Sequence, residues 1–438
     1  MLRNIFSCLM ACLAAAGIAA AQEPVPSNPA ADRPPVTLNT ESKSENLLIG
    51  NFAVSSGYAD NFMNVNGDRR GQAVFTVSPT ITFQQTRRRF EFTTTYSPTL
   101  TAYTKETDLS QLTHMAGGTL SWRPMRRVTV KLRQQYSVTV DPFARAAEMP
   151  FLSQPSPWVE PNESLVIGRR VKRTTIMGHG EADYRLTRYT TLSASASVND
   201  YDYGTYDYDP MRPRLIAARV ISGAASWTRQ TAVNRAHGFQ ASVLDLTFVG
   251  PGHTRSYALL YFRDFKLGQN GSLTVFAGPE YSRSENVLTL PLGLFVMYVP
   301  VEQVHWAPAV GATYTRRGDR TAFRADFVRR VSDGGGLMRG VTLTSVKLAL
   351  NRAIAPNWAA VGRLELANND SSGLLGGGEW LRTGTGSVGL ERRLNRDVRL
   401  RLDYMRTMQR GAVPGFALGD YNQVRLSLTY SFSKPLGR

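Results

Sequence analysis

The chain ends in the stretch Asn422–Arg438, "NQVRLSLTYSFSKPLGR". From Val424 the apolar residues take every second place: Val424, Leu426, Leu428, Tyr430 and Phe432. Arg425, Ser427, Thr429 and Ser431 fill the places between. Side chains of a β-strand point alternately to its two faces, so this stretch predicts a strand with one oily and one wet face. In a soluble sandwich the oily face is the core; in a membrane barrel it is the outside.

The same alternation recurs upstream. Phe90, Phe92, Tyr96 and Leu100 oppose Glu91, Thr93, Thr95 and Thr99, and Val398, Leu400, Leu402 and Tyr404 oppose Arg399, Arg401 and Asp403. Candidate strands fall near 47–58, 71–84, 89–103, 111–123, 127–138, 171–186, 190–200, 214–228 and 235–248. They continue near 255–267, 272–282, 303–315, 321–331, 341–350, 358–367, 380–392, 397–408 and 421–432. Many exceed the five or six residues of ordinary sheets and suit a tilted membrane span. The stretch 235–248 changes parity near Val243–Leu244, as a bulge or a misplaced strand boundary would.

The connections decide between the two folds. Short ones follow the even strands, among them "QTRR", "RPMRR", "RRGDR" and "LNRD". Long ones follow the odd strands, including Ala59–Arg70, Thr139–Arg170, Tyr201–Pro213, Arg283–Glu302, Ser332–Gly340, Asn368–Glu379 and Gln409–Asp420. A sandwich has no cause to alternate in this way, whereas a membrane barrel has short periplasmic turns and longer external loops. Trp122, Trp227 and Trp358 lie beside short turns, and Trp306 and Trp380 near strand starts after long loops, as interfacial rings do. The expected fold is one all-β transmembrane antiparallel barrel of about 16–18 strands, wide enough for an aqueous channel.

Composition agrees. The chain has 438 residues, 42% apolar and 19% charged, with no apolar run of about 18 residues beyond its start. The start has the parts of an export signal: Arg3, the apolar "IFSCLMACLAAAGIAA" and small residues before Gln22. The organisation expected is a signal at 1–21, a Pro- and Ser-rich lead-in at 22–45, a barrel at 46–432 and a tail at 433–438. Both cysteines, Cys8 and Cys12, fall in the signal, which leaves no thiol chemistry. With Arg3 gone, 50 basic against 34 acidic residues leave a charge of +16. Export turns that charge away from nucleic acid and toward anionic polymers or lipids.

The final strand also resembles the closing strand of outer-membrane barrels, whose alternating apolar residues end on an aromatic read by the barrel-assembly machinery. Leu428, Tyr430 and Phe432 match, although "SKPLGR" follows. From about 46 onward the pattern resembles outer-membrane β-barrel porins, some encoded with exopolysaccharide export systems. That resemblance implies a channel, with outer-membrane lipid and lipopolysaccharide around it and acidic exopolysaccharide as one solute.

No catalytic set emerges. His114, His179, His237, His253 and His305 form no HExxH, and no GxSxG or phosphate-loop motif is present. "GLLGGGEW" at Gly373–Trp380 lacks the Lys and Ser/Thr of a phosphate loop. "NDYDYGTYDYDP" at Asn199–Pro210 is acidic and aromatic, without the spacing of an EF-hand. Neither an enzyme nor a cofactor is expected. The candidates for function are the residues whose parity faces the lumen: Lys131, Arg133, Arg324, Asp326, Arg330, Arg363, Glu365, Arg399, Arg401, Asp403 and Arg425, with Asp264 and Lys266. Arginine exceeds carboxylate among them, which favours anions unless pairing across strands cancels the charge. Two other readings stay open: an outer-membrane enzyme or adhesin with a filled barrel, and a soluble exported carbohydrate-binding sandwich.

Overall fold

The computed structural model describes residues 45–61, 71–105, 110–139, 172–203, 216–249, 252–292, 295–332, 338, 340–371, 378–412 and 419–435. The expected signal, nearly all of the lead-in and most of the loop Thr139–Arg170 lie outside the described residues. The strands are β1 (Glu45–Ala59), β2 (Gln72–Arg87), β3 (Phe90–Tyr103), β4 (Gln111–Met125), β5 (Val128–Thr139) and β6 (Arg173–Arg185). Next come β7 (Thr190–Tyr203), β8 (Ala218–Ala232), β9 (Arg235–Phe248), β10 (His253–Leu267), β11 (Gly271–Leu292) and β12 (Phe295–Arg317). The last six are β13 (Thr321–Ser332), β14 (Val341–Ala355), β15 (Trp358–Asp370), β16 (Trp380–Arg393), β17 (Val398–Ala412) and β18 (Tyr421–Pro435).

Each strand pairs antiparallel with the next, and β18 returns to β1 through thirteen residue pairs, from Leu47↔Pro435 to Ala59↔Gln423. All eighteen strands therefore close one barrel, and closure leaves no sheet edge along this seam. A sandwich is excluded.

A long-range contact tells inside from outside. The Arg330 guanidinium on β13 donates to Ser242 Oγ on β9 at 3.1 Å, with three strands between them along the wall. Only the concave side allows such a contact. Register then assigns every strand by alternation. On β18, Ser427, Thr429 and Ser431 point in, while Val424, Leu426, Leu428, Tyr430 and Phe432 are each 45–48% exposed on the outside. The oily face looks outward. Trp122 and Trp358 are exposed rings beside the short turns, and Trp306 sits toward the other end against Tyr281 at 5.0 Å.

The connections depart from strict alternation in two places. Only Val249–Gly252 separates β9 from β10. The expected loop Arg283–Glu302 is instead a ribbon, since β11 and β12 stay paired out to Leu292↔Phe295. Expected parity also changes meaning on β9: its register runs unbroken through Val243–Leu244, and Leu244, Leu246 and Phe248 all point inward and are buried. The inner face turns apolar there; the strand does not bulge.

Those residues meet a cover from across the barrel. Pairing of β12 with β13 stops at Val310↔Arg329, although β13 stays with β14 to Ser332↔Val341. Continued register would set Val331 against Pro308, which has no N–H for the ladder. The end of β13 leaves β12, and Val331 packs against Tyr201, Val220, Leu246 and Phe248 of β7–β9.

Candidate functional site

The lumen has two unlike walls. On β2 and β3 the inner face is hydroxyl-rich, with Ser78 bonded to Thr99 at 2.8 Å, Thr80 to Ser97 at 2.8 Å and Thr82 to Thr95 at 2.9 Å. Alternation placed these small polar residues inward, and cross-strand pairing satisfies them.

Other sectors of the wall are ionic. On β13 Arg324 Nε lies 2.7 Å from Asp326 Oδ2, and between β14 and β15 Lys347 Nζ lies 2.9 Å from Glu365 Oε1. On β17 Arg401 Nη2 is 2.7 Å from Asp403 Oδ1, while Arg425 Nη2 of β18 approaches Asp403 Oδ2 at 4.0 Å. Arg363 of β15 is in electrostatic reach of Arg401 and Asp403. Three arginines thus share the field of one carboxylate, and that sector keeps a positive surplus. Arg399 is 3.9 Å from Glu391. On β5, Lys131 lies 3.3 Å from Glu181 and 3.6 Å from Asp183, with Arg133 paired in register to His179.

All eleven lumen candidates point inward, as do Asp264, beside Thr274, and Lys266. The parity reading named too few acids. Glu181, Asp183, Glu280 and Glu391 also face in, as does Lys347, and each pairs with a lumen cation or carboxylate. The same alternation could have found them. Leu428, Tyr430 and Phe432 lie together on the outer face, with the Tyr430 and Phe432 rings 6.2 Å apart.

Toward the end of the barrel away from the short turns, inward side chains are buried around the circumference: Gln72, Val220, Leu260, Leu381, Gln409 and Tyr421 are each at 2% exposure or less. The inward residues nearer the short turns, such as Lys131 and Arg401, are about one-third exposed. The passage is therefore narrowest on the loop side.

Glu280 of β11 organises that narrowing. It is 2% exposed and lies opposite Ala307, whose small side chain leaves it room. Its Oε1 accepts from Ser256 of β10 at 2.8 Å and lies 3.5 Å from Arg330. Its Oε2 accepts the Val331 N–H at 3.1 Å, supplying the acceptor that this N–H loses where β13 leaves β12. A buried carboxylate is tolerable only with such partners. Gly340, at φ 54°, has Thr254 of β10 where a Cβ would stand, so this closing segment lies flat on the wall.

Of the stretch Asn199–Pro210, the described part divides between faces. Asp200 pairs outward with Arg219 at 2.7 Å, and Tyr201 is buried inward beneath Arg173. Residues 204–210 lie outside the described residues, as do 373–377 of the glycine-rich stretch. Among the described residues no cluster of His, Cys, Asp and Glu could hold a metal ion.

No protein-family profile matches the chain, and no curated protein matches it. Solved barrels share its general shape. OpdL of Pseudomonas aeruginosa is 13% identical over 89% of this chain and 98% of its own, with a TM-score of 0.40. OccAB4 of Acinetobacter baumannii is 11% identical over 90% and 100%, at 0.44. The ferric-catecholate import receptor Fiu of E. coli is 8% identical over 87% and 81%, also at 0.44. The architecture described above rests on the pairing of this chain's own strands.

Proposed function

We propose that the protein is a passive channel of the bacterial outer membrane, for small polar solutes with a preference for anions. The observation that carries the reading is a closed barrel whose outer face is oily and whose inner face is polar and charged. In water that arrangement would expose a broad apolar surface; in a bilayer it is the expected one. The preference for anions rests on Arg363, Arg401 and Arg425 around Asp403. No step of this function makes or breaks a bond, so no residue is assigned catalysis.

The pairing of a hydroxyl wall with a basic one favours a second solute, an acidic saccharide chain whose hydroxyls and carboxylates would meet β2–β3 and β15–β18 respectively. The test is reconstitution of the mature chain in planar bilayers. Stepwise currents carried by chloride more than potassium support the channel. A folded, inserted barrel without current would instead support the filled-barrel reading, and recovery from the soluble periplasm would end both.

A further inference from the structure

The barrel carries its outward arginines in two unlike bands. On the loop side most are matched by a carboxylate: Arg219 by Asp200, Arg255 by Asp245, Arg283 by Glu302 and Arg410 by Asp420, while Arg382 meets Asn368 and the Trp380 ring instead. On the turn side the outward, exposed arginines include Arg229, Arg235, Arg263, Arg316 and Arg392, on five strands. Among the described residues, the outward strand positions of that band hold no Asp or Glu. The turns add further exposed arginines in "QTRRRF" (85–90), "RPMRR" (123–127), "RLTRY" (185–189) and "ERRLNRD" (391–397), with Asp397 and Asp319 the acids of the short turns. A chain of net charge +17 has thus placed much of its surplus in one collar.

Three features say what the collar faces. It runs round the circumference, whereas a docked protein would need one patch. Its arginines stack on the outward rings of the turn side: Arg263 over Phe265 at 5.0 Å, Arg392 over Trp358 at 5.2 Å and Arg188 over Tyr189 at 5.8 Å. Such rings occupy the membrane interface, which sets the guanidinium groups at headgroup height. Finally, Arg392, Arg393, Asn357 and Trp358 line a groove of about 250 Å³, large enough for a phosphodiester.

We propose that this collar binds the phosphates of anionic glycerophospholipids in the leaflet facing the periplasm, with the groove beside Arg392, Asn357 and Trp358 as its best-formed site. The proposal rests on the membrane reading above. Arginine holds phosphate through paired N–H donors, and basic groups beside a bilayer concentrate anionic lipid. The counter-charge that the chain withholds is supplied by the bilayer.

The test uses the full mature chain in vesicles of phosphatidylcholine with spin-labelled phosphatidylglycerol or spin-labelled phosphatidylcholine as probe. The labelled anionic lipid should associate at least about threefold more strongly at low salt. That ratio should approach one in 1 M salt, where the Debye length is about 3 Å. It should also approach one in the quadruple variant Arg229→Gln, Arg235→Gln, Arg316→Gln, Arg392→Gln, and stay unchanged in Arg219→Gln. Equal association of both probes with inserted wild-type protein overturns the proposal and leaves the barrel reading intact. If the inserted protein shows equal probes but binds polygalacturonate through the same arginines, the collar serves a soluble polyanion and the proposal is likewise overturned. A chain that enters no vesicle overturns the membrane reading with it. The wild-type salt series decides the matter even where the quadruple variant fails to assemble.

Discussion

Ser427 and Leu428 are neighbours in the chain and stand on opposite sides of a wall one residue thick. That placement was legible from alternation alone, because a strand has only two faces and one of them must be oily. Leu428→Arg puts a charge on the outer face, and in a bilayer it should cost about 2–4 kcal/mol near the midplane. Ser427→Arg should leave assembly near the wild-type level. Urea titration of folded, lipid-embedded protein, read by the shift of its band on unboiled gels, measures both. Equal losses would mean that the faces are misassigned. What alternation could not show was partnership. Arg401 and Asp403 share a face two residues apart, so their pairing was foreseeable, whereas the approach of Arg425 to Asp403 depends on the β17–β18 register.

At the scale of the element, the end of β13 is the least legible part of the fold. Its residues alternate normally, and nothing local marks its departure from β12. The cause lies on another strand, in Pro308, and the cover it provides explains the apolar inner face of β9. The β11–β12 ribbon was hidden for a related reason, since Pro291 and Pro300 read as loop residues although they sit within paired strands. Glu280→Ala removes a carboxylate from Arg330 and an acceptor from the Val331 N–H. Breaking a buried pair costs about 3–5 kcal/mol, enough to free the β13 end while the remaining ladders hold. Single-channel conductance should rise in Glu280→Ala, and trypsin should reach Arg329 or Arg330. Gly340→Ala, which must push against Thr254 from a left-handed backbone, should do the same more weakly.

For the whole molecule, the strand number and the ring closure were within reach of the sequence because fixed turn lengths repeat. The electrostatics were only half within reach. Inward arginines outnumber inward acids by parity, yet Lys131, Arg324 and Lys347 are each neutralised locally, and the surplus survives chiefly near Asp403. Replacing Arg363, Arg401 and Arg425 together by Gln should therefore move the reversal potential in a salt gradient from anion-selective toward or past neutral. Replacing Arg324 and Asp326 together by Gln and Asn should change it little, because their charges already offset each other. Cation selectivity in the unaltered protein would refute the assignment of the surplus.

The seam between β1 and β18 sets an order in time. Seventeen of the eighteen pairings join strands adjacent in the chain and can form as local hairpins. The eighteenth brings Leu47 against Pro435, the far ends of the described chain, and can form only when everything between is in place. Contacts of such separation are the slow ones, since the entropy of bringing the ends together is spent before any ladder bond repays it. Until then both strands keep raw edges open to any passing chain. The last event in this protein's folding is a zipping of two strands far apart in the chain, and before it no closed wall separates a lumen from lipid.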